Sequence, residues 1–162
     1  MNSIHTANPV QQRPALIKQS LMLSVLSVVL GSASAFVTFP AMIEQLRASG
    51  VSDDAIPGMG MMWGGLLFGV AVAAVLMAFV WRGANVARWI TALLAVYGLV
   101  GALMHLGDVP GPSMWLSALT VVVNLLNVGG AALLFLPASA AWFKAMASYK
   151  AHQKAGAGTQ AA

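Results

Sequence analysis

The chain contains no cysteine, which removes disulfides, thiolate metal sites, cysteine nucleophiles and iron–sulfur ligation together. Charge is almost as scarce: 7% of the 162 residues are charged, against about 25% in an ordinary soluble domain. A surface so poor in charge is not one that water solvates well, and lipid is the solvent that suits it. The acids are Glu44, Asp53, Asp54 and Asp108, and the histidines are His5, His105 and His152. No GxSxG, HExxH or phosphate-loop pattern is present. No acid or base stands at the centre of an apolar block, where proton-coupled transporters and pumps usually carry one. These absences point away from an enzyme, and they imply no cofactor and no metal.

What is present is apolar. Hydrophobic residues make up 59% of the chain, concentrated in four blocks at about 19–43, 61–81, 89–106 and 114–136. Each is long enough for a helix crossing a hydrocarbon core of about 30 Å, and none shows the alternation of a membrane barrel. Inside lipid a segment must satisfy its own backbone N–H and C=O groups, so helices are expected. The fold class is therefore read as all-α, an integral membrane bundle of four transmembrane helices over 19–146, with flexible tails at 1–18 and 147–162. Turn formers at 48–58 and 107–112, and the polar hairpin 82–88, separate the blocks.

The first block poses a question of its own. LMLSVLSVVLGSASAF, residues 21–36, follows Arg13 and Lys18 and ends in Ala33-Ser34-Ala35, which matches a cleavable secretion signal. The apolar run nevertheless continues through Phe36–Ile43, well beyond what a signal needs, and a retained first span is expected.

The net charge of +4 comes with no basic stripe, so nucleic acid is not an expected partner. Charge follows topology instead. Arg13, Lys18, Arg82, Arg88, Lys144, Lys150 and Lys154 fall on one side of the blocks, and Arg47 with all four acids on the other. By the positive-inside rule both termini are cytoplasmic, in a cell inner membrane crossed several times. Trp63, Trp81, Trp89, Trp115 and Trp142 fall near span ends and read as interfacial anchors, as do Arg82, Arg88 and Lys144. Pro137 is expected to end or kink span four, placing Trp142, Phe143 and Lys144 in an amphipathic foot at the interface.

Three features carry the candidate chemistry. Gly65, Gly69 and Ala73 in block two, and Gly31 and Ala35 in block one, are four apart and form grooves for a second helix, within the bundle or from a partner or second copy. Thr120, Asn124 and Asn127 share a face of block four. The two amides read as glue to serines of block one (Ser24, Ser27, Ser32, Ser34), or alternatively as the lining of a polar path for a small solute or lipid. His105, three residues before Asp108, reads as an interfacial residue, or as one of a proton-sensing pair. Asp53, Asp54 and Asp108 offer carboxylates for an external cation but lack the spacing of a calcium loop.

WRGANVARWITALL at 81–94 and AALLFLPASAAWFKA at 131–145 resemble recurring features of small four-helix bacterial inner-membrane proteins with no assigned function. In those proteins an Arg-Gly-x-Asn-x-Ala-Arg hairpin precedes span three and a Leu-Phe-Leu-Pro...Trp-Phe stretch ends span four. Val86 stands where many of them have tryptophan. The resemblance implies the four-helix architecture and no catalytic residue. The expected function is a non-catalytic membrane protein acting through helix packing, as an accessory subunit or a small homo-oligomer in the lipid bilayer. The alternative is a transporter or channel using a path near Asn124 and Asn127.

Overall fold

The computed structural model describes residues 13–104 and 114–160, with the side chains of 114, 116 and 154–160 excepted. Its described residues form five α-helices and one short 3-10 turn, with no strand: α1 Ala15–Ala48, the turn Asp53–Ala55, α2 Met59–Trp81, α3 Asn85–Met104, α4 Met114–Leu133 and α5 Pro137–Gln160. Three helical segments are long and apolar enough to cross a membrane, and a fourth crossing results if α4 and α5, bent by 59° at their junction, count as one span. Among the described residues the chain is thus an all-helical protein of the multi-pass membrane type.

Helix ends follow local chemistry. α1 stops at Gly50, whose φ of 82° lets Val51 N–H reach the Leu46 carbonyl and Gly50 N–H reach that of Arg47. α2 stops the same way at Gly83 (φ 72°), with Ala84 N–H bonding the Phe79 carbonyl and Gly83 N–H that of Val80. The last carbonyls of this end are taken by cations: Arg13 Nη2 donates to Trp81 O at 3.2 Å and Lys150 Nζ to Arg82 O at 2.7 Å. Every freed carbonyl from Ala78 to Arg82 therefore has a donor, and the two charges oppose the negative end of the helix dipole.

α1, at about 51 Å for 34 residues, is longer than one crossing requires. It packs chiefly on α4, α4 packs in turn on α3, and α2 touches α1 and α3 more lightly. The α1 seam is a stripe of Ile17, Ser20, Ser24, Ser27 and Ser34, all buried, with Gly31 between. The steps alternate between three and four residues, which keeps one small face toward a neighbouring helix. Its partners are glycine and valine: a Cβ on Gly130 would lie 3.2 Å from the Ser20 carbonyl oxygen, and one on Gly31 would lie 3.6 Å from Val123. Without side chains at those points the two backbones approach closely enough for dispersion to hold them, the driving force available when lipid is the solvent. Ala33-Ser34-Ala35 lies inside this continuous helix, and Ser34 is buried in the bundle.

The largest buried cluster sits at the basic end, where Ile17, Val80, Ala87, Leu134, Trp142, Phe143 and Met146 meet. Here the sequence reading needs correction. Trp142 and Phe143, expected at the interface, are 5% and 1% exposed, because the bend folds α5 back over the ends of α1, α2 and α3. Pro137 begins the new helix and has no N–H for the Leu133 carbonyl four residues back. Ser139 Oγ supplies that bond at 2.8 Å, so the break costs no unpaired acceptor. The segment expected to be a tail from residue 147 continues as helix to Gln160, and α1 begins within the stretch expected to be the first tail.

Candidate functional site

The intramembrane amides do not meet the serines of α1 as a pair. Asn124 Nδ2 donates to the Thr120 carbonyl of its own helix at 2.8 Å, and its Oδ1 rests against Gly98 of α3, where a Cβ would stand 2.5 Å away. Asn124 and Thr120 face a groove of about 560 Å³ between α3 and α4. Asn127 faces a different space, a cleft of about 290 Å³ between α2 and the rest of the bundle, beside Ser20 and Ser24 of α1 and Thr91 of α3. Three residues along a helix amount to a turn of about 300°, so one step suffices to send neighbouring amides into separate grooves. Thr91 Oγ1 is committed to the Ala87 carbonyl at 2.9 Å.

The cleft is otherwise apolar, walled by Leu21, Val28, Phe68, Val72 and Leu76 among others. It exists because α2 is held mainly at its basic end: Val80 is its one buried residue. Phe36 and Trp63, edge to face at 4.9 Å, join α1 and α2 toward the opposite end. The small-residue face of α2, expected to pack within the bundle or against a partner, makes no close contact within the bundle at its two glycines. A Cβ on Gly65 or Gly69 would meet nothing within 4 Å, whereas Gly31 does serve the α1–α4 contact. Gly69 and Ala73 border the cleft; Ala35 is half-buried on α1.

At the basic end two guanidiniums lie among aromatic rings. Arg13 stacks over Trp81 at 3.4 Å from the ring centroid, with Trp142 at 5.7 Å. Arg88, read from the sequence as an interfacial anchor, is folded among Phe135, Phe143 and Trp89 at 5.1, 5.4 and 5.9 Å. The Nε of each is enclosed and lacks a hydrogen-bond partner; cation–π attraction holds both, and at Arg13 the Nη2 bond to Trp81 O adds to it. Burial lowers the Arg13 guanidinium from its ordinary pKa, the direction desolvation of a cation dictates. Arg82 and Lys144 are exposed, as are Trp63, Trp81, Trp89 and Trp115, each at or near a helix end. At the other end Arg47 and Asp53 form an exposed ion pair at 3.2 Å. Among the described residues no three His, Asp or Glu side chains gather as a metal site; His105 and Asp108 lie outside the described residues.

Sequence reasoning missed Gly98, Gly130 and Ser20, and it took Ser24, Ser27 and Ser34 as partners of the two amides rather than as a seam of their own. The signal was present as Gly98, small residues at Gly129-Gly130 and serines recurring every three or four positions. Which glycine meets which helix is a property of the packing. No protein-family model, curated protein or solved structure matches the chain.

Proposed function

We propose that the protein is a non-catalytic subunit of the cell inner membrane, crossing it four times with both termini cytoplasmic, and that it acts by helix packing through the open face of α2. The partner is a larger membrane complex or a second copy. The observation that carries this reading is the space around Gly65 and Gly69, where nothing approaches within 4 Å. α1 and α4 use their small residues on each other; α2 keeps its own unused, on a helix apolar on every side. The gathering of Arg13, Lys18, Arg82, Arg88, Lys144 and Lys150 at one end supports the cytoplasmic assignment of that end. A transport path is favoured by the cleft at Asn127 alone, since Asn124 opens to another groove.

The test is gentle purification from the native membrane, with the mass and composition of the particle measured. A stoichiometric second protein or a defined homo-oligomer is expected, and Gly65→Leu with Gly69→Leu should release it while leaving the thermal stability of the monomer unchanged. A wild-type particle that is a monomer without protein partners would overturn the proposal.

A further inference from the structure

Two apolar grooves run side by side from the basic end along α1. The inner one is the cleft already described, bordered on α1 by Ser20, Leu21, Ser24 and Val28 and at its basic end by Val80. The outer one, about 530 Å³, is walled by Leu21, Met22, Val25, Leu26 and Val29 and by Trp81, with Lys18 at its head. Leu21 borders both grooves and partitions them, while Val80 borders the inner one and its neighbour Trp81 the outer one. From Lys18 to Val29 is about 16 Å of helix, close to the roughly 15 Å depth of one leaflet of hydrocarbon.

Charge at the mouth of the outer groove is of one sign. Lys18 is exposed, and Arg13 is fixed by stacking on the same Trp81 indole that walls the outer groove. Among the described residues the ion pair is at the opposite end of the molecule, between Arg47 and Asp53, so neither cation is neutralised by a carboxylate. Two cations and an indole at the interface above two parallel apolar grooves match a molecule with one anionic head and two hydrocarbon tails.

We infer that the α1–α2 face at the basic end binds one anionic diacyl phospholipid, its phosphate between Lys18 and Arg13 and its two chains on either side of Leu21. The inference rests on the membrane reading above, but not on the identity of the α2 partner. A single-chain amphiphile would fill one groove and leave the other to solvent or bulk lipid. A zwitterionic lipid would bring its own cation to a mouth that already holds two.

The experiment is native mass spectrometry of the full-length protein released from detergent, titrated with phosphatidylglycerol, its single-chain lyso form, phosphatidylcholine and inorganic phosphate. One phosphatidylglycerol should be retained per chain, about tenfold in preference to phosphatidylcholine. Lys18→Gln, at an exposed position, should reduce that preference about fivefold, the share of one interfacial cation. Arg47→Gln, at the opposite end, should leave it unchanged. Val25→Trp, on the exposed wall of the outer groove, should weaken the diacyl lipid relative to the lyso form. Equal retention of both lipid classes would overturn the inference, as would competition by inorganic phosphate or displacement of the lipid by a second copy of the chain. Flotation with phosphatidylcholine vesicles separates the two failures: protein that does not float fails the membrane reading, whereas protein that floats without anionic preference fails only the lipid site.

Discussion

Gly83 and Gly50 have nearly the same backbone conformation, with φ of 72° and 82°, and opposite surroundings. The pair isolates what α5 contributes. Alanine at either position incurs the left-handed penalty of roughly 1–2 kcal/mol. At Gly50 nothing lies within 4 Å of the new methyl, so that penalty should be the whole effect. At Gly83 the methyl would stand 2.9 Å from Met146 Cβ and 3.2 Å from the Trp142 ring, both on the buried face of the folded-back α5. Relieving that contact requires α5 to lift, at an overpacking cost of about 1–3 kcal/mol. Gly83→Ala should thus lose about 2–5 kcal/mol and Gly50→Ala about 1–2 kcal/mol. The assay is reversible unfolding in mixed micelles at increasing denaturing-detergent fraction, followed by helical circular dichroism, with both variants in the same lipid and detergent. Equal losses, within about 0.5 kcal/mol, would refute the docking of α5 on the α2–α3 hairpin, because independent backbone terms would then account for everything.

The remaining predictions use the same assay. Ser139→Ala should cost about 1–3 kcal/mol by leaving the Leu133 carbonyl unpaired, and the cost should shrink in a Pro137→Ala background, where a backbone N–H returns to that position. An identical Ser139→Ala loss in both backgrounds would show that the hydroxyl does not substitute for the missing donor. Gly98→Ala should destabilise by about 1–3 kcal/mol through collision with Asn124 Oδ1, and Asn124→Ala should recover most of that loss; additive losses would refute the contact.

Much of the architecture was legible in the chain. Four apolar blocks gave the helices, because their lengths and their turn formers report a property of each segment alone. α2 was expected over 61–81 and occupies Met59–Trp81; block four was expected over 114–136 and its helix occupies Met114–Leu133. The break at Pro137 was legible too, since a missing N–H acts locally. The direction taken after the break was not. Trp142 reads as an anchor because an indole near lysine at a span end suits the interface, and only the bend turns it inward from α5 onto Ile17, Val80 and Leu134 instead.

The candidate site divides along the same line. The sequence by itself determined the inventory: an apolar chain, cations at one end of its blocks, two amides within a span, and small residues at helical spacing. Tertiary structure alone decided their use. It turned Asn124 onto Gly98 and Asn127 into the cleft, spent Gly31 and Gly130 on the α1–α4 seam, and left Gly65 without a packing partner and Gly69 at the border of the cleft. The physical reason is that spacing fixes which residues share a face of one helix, whereas the neighbour that covers a face is chosen by the approach of whole helices, where small residues compete for the same close contacts.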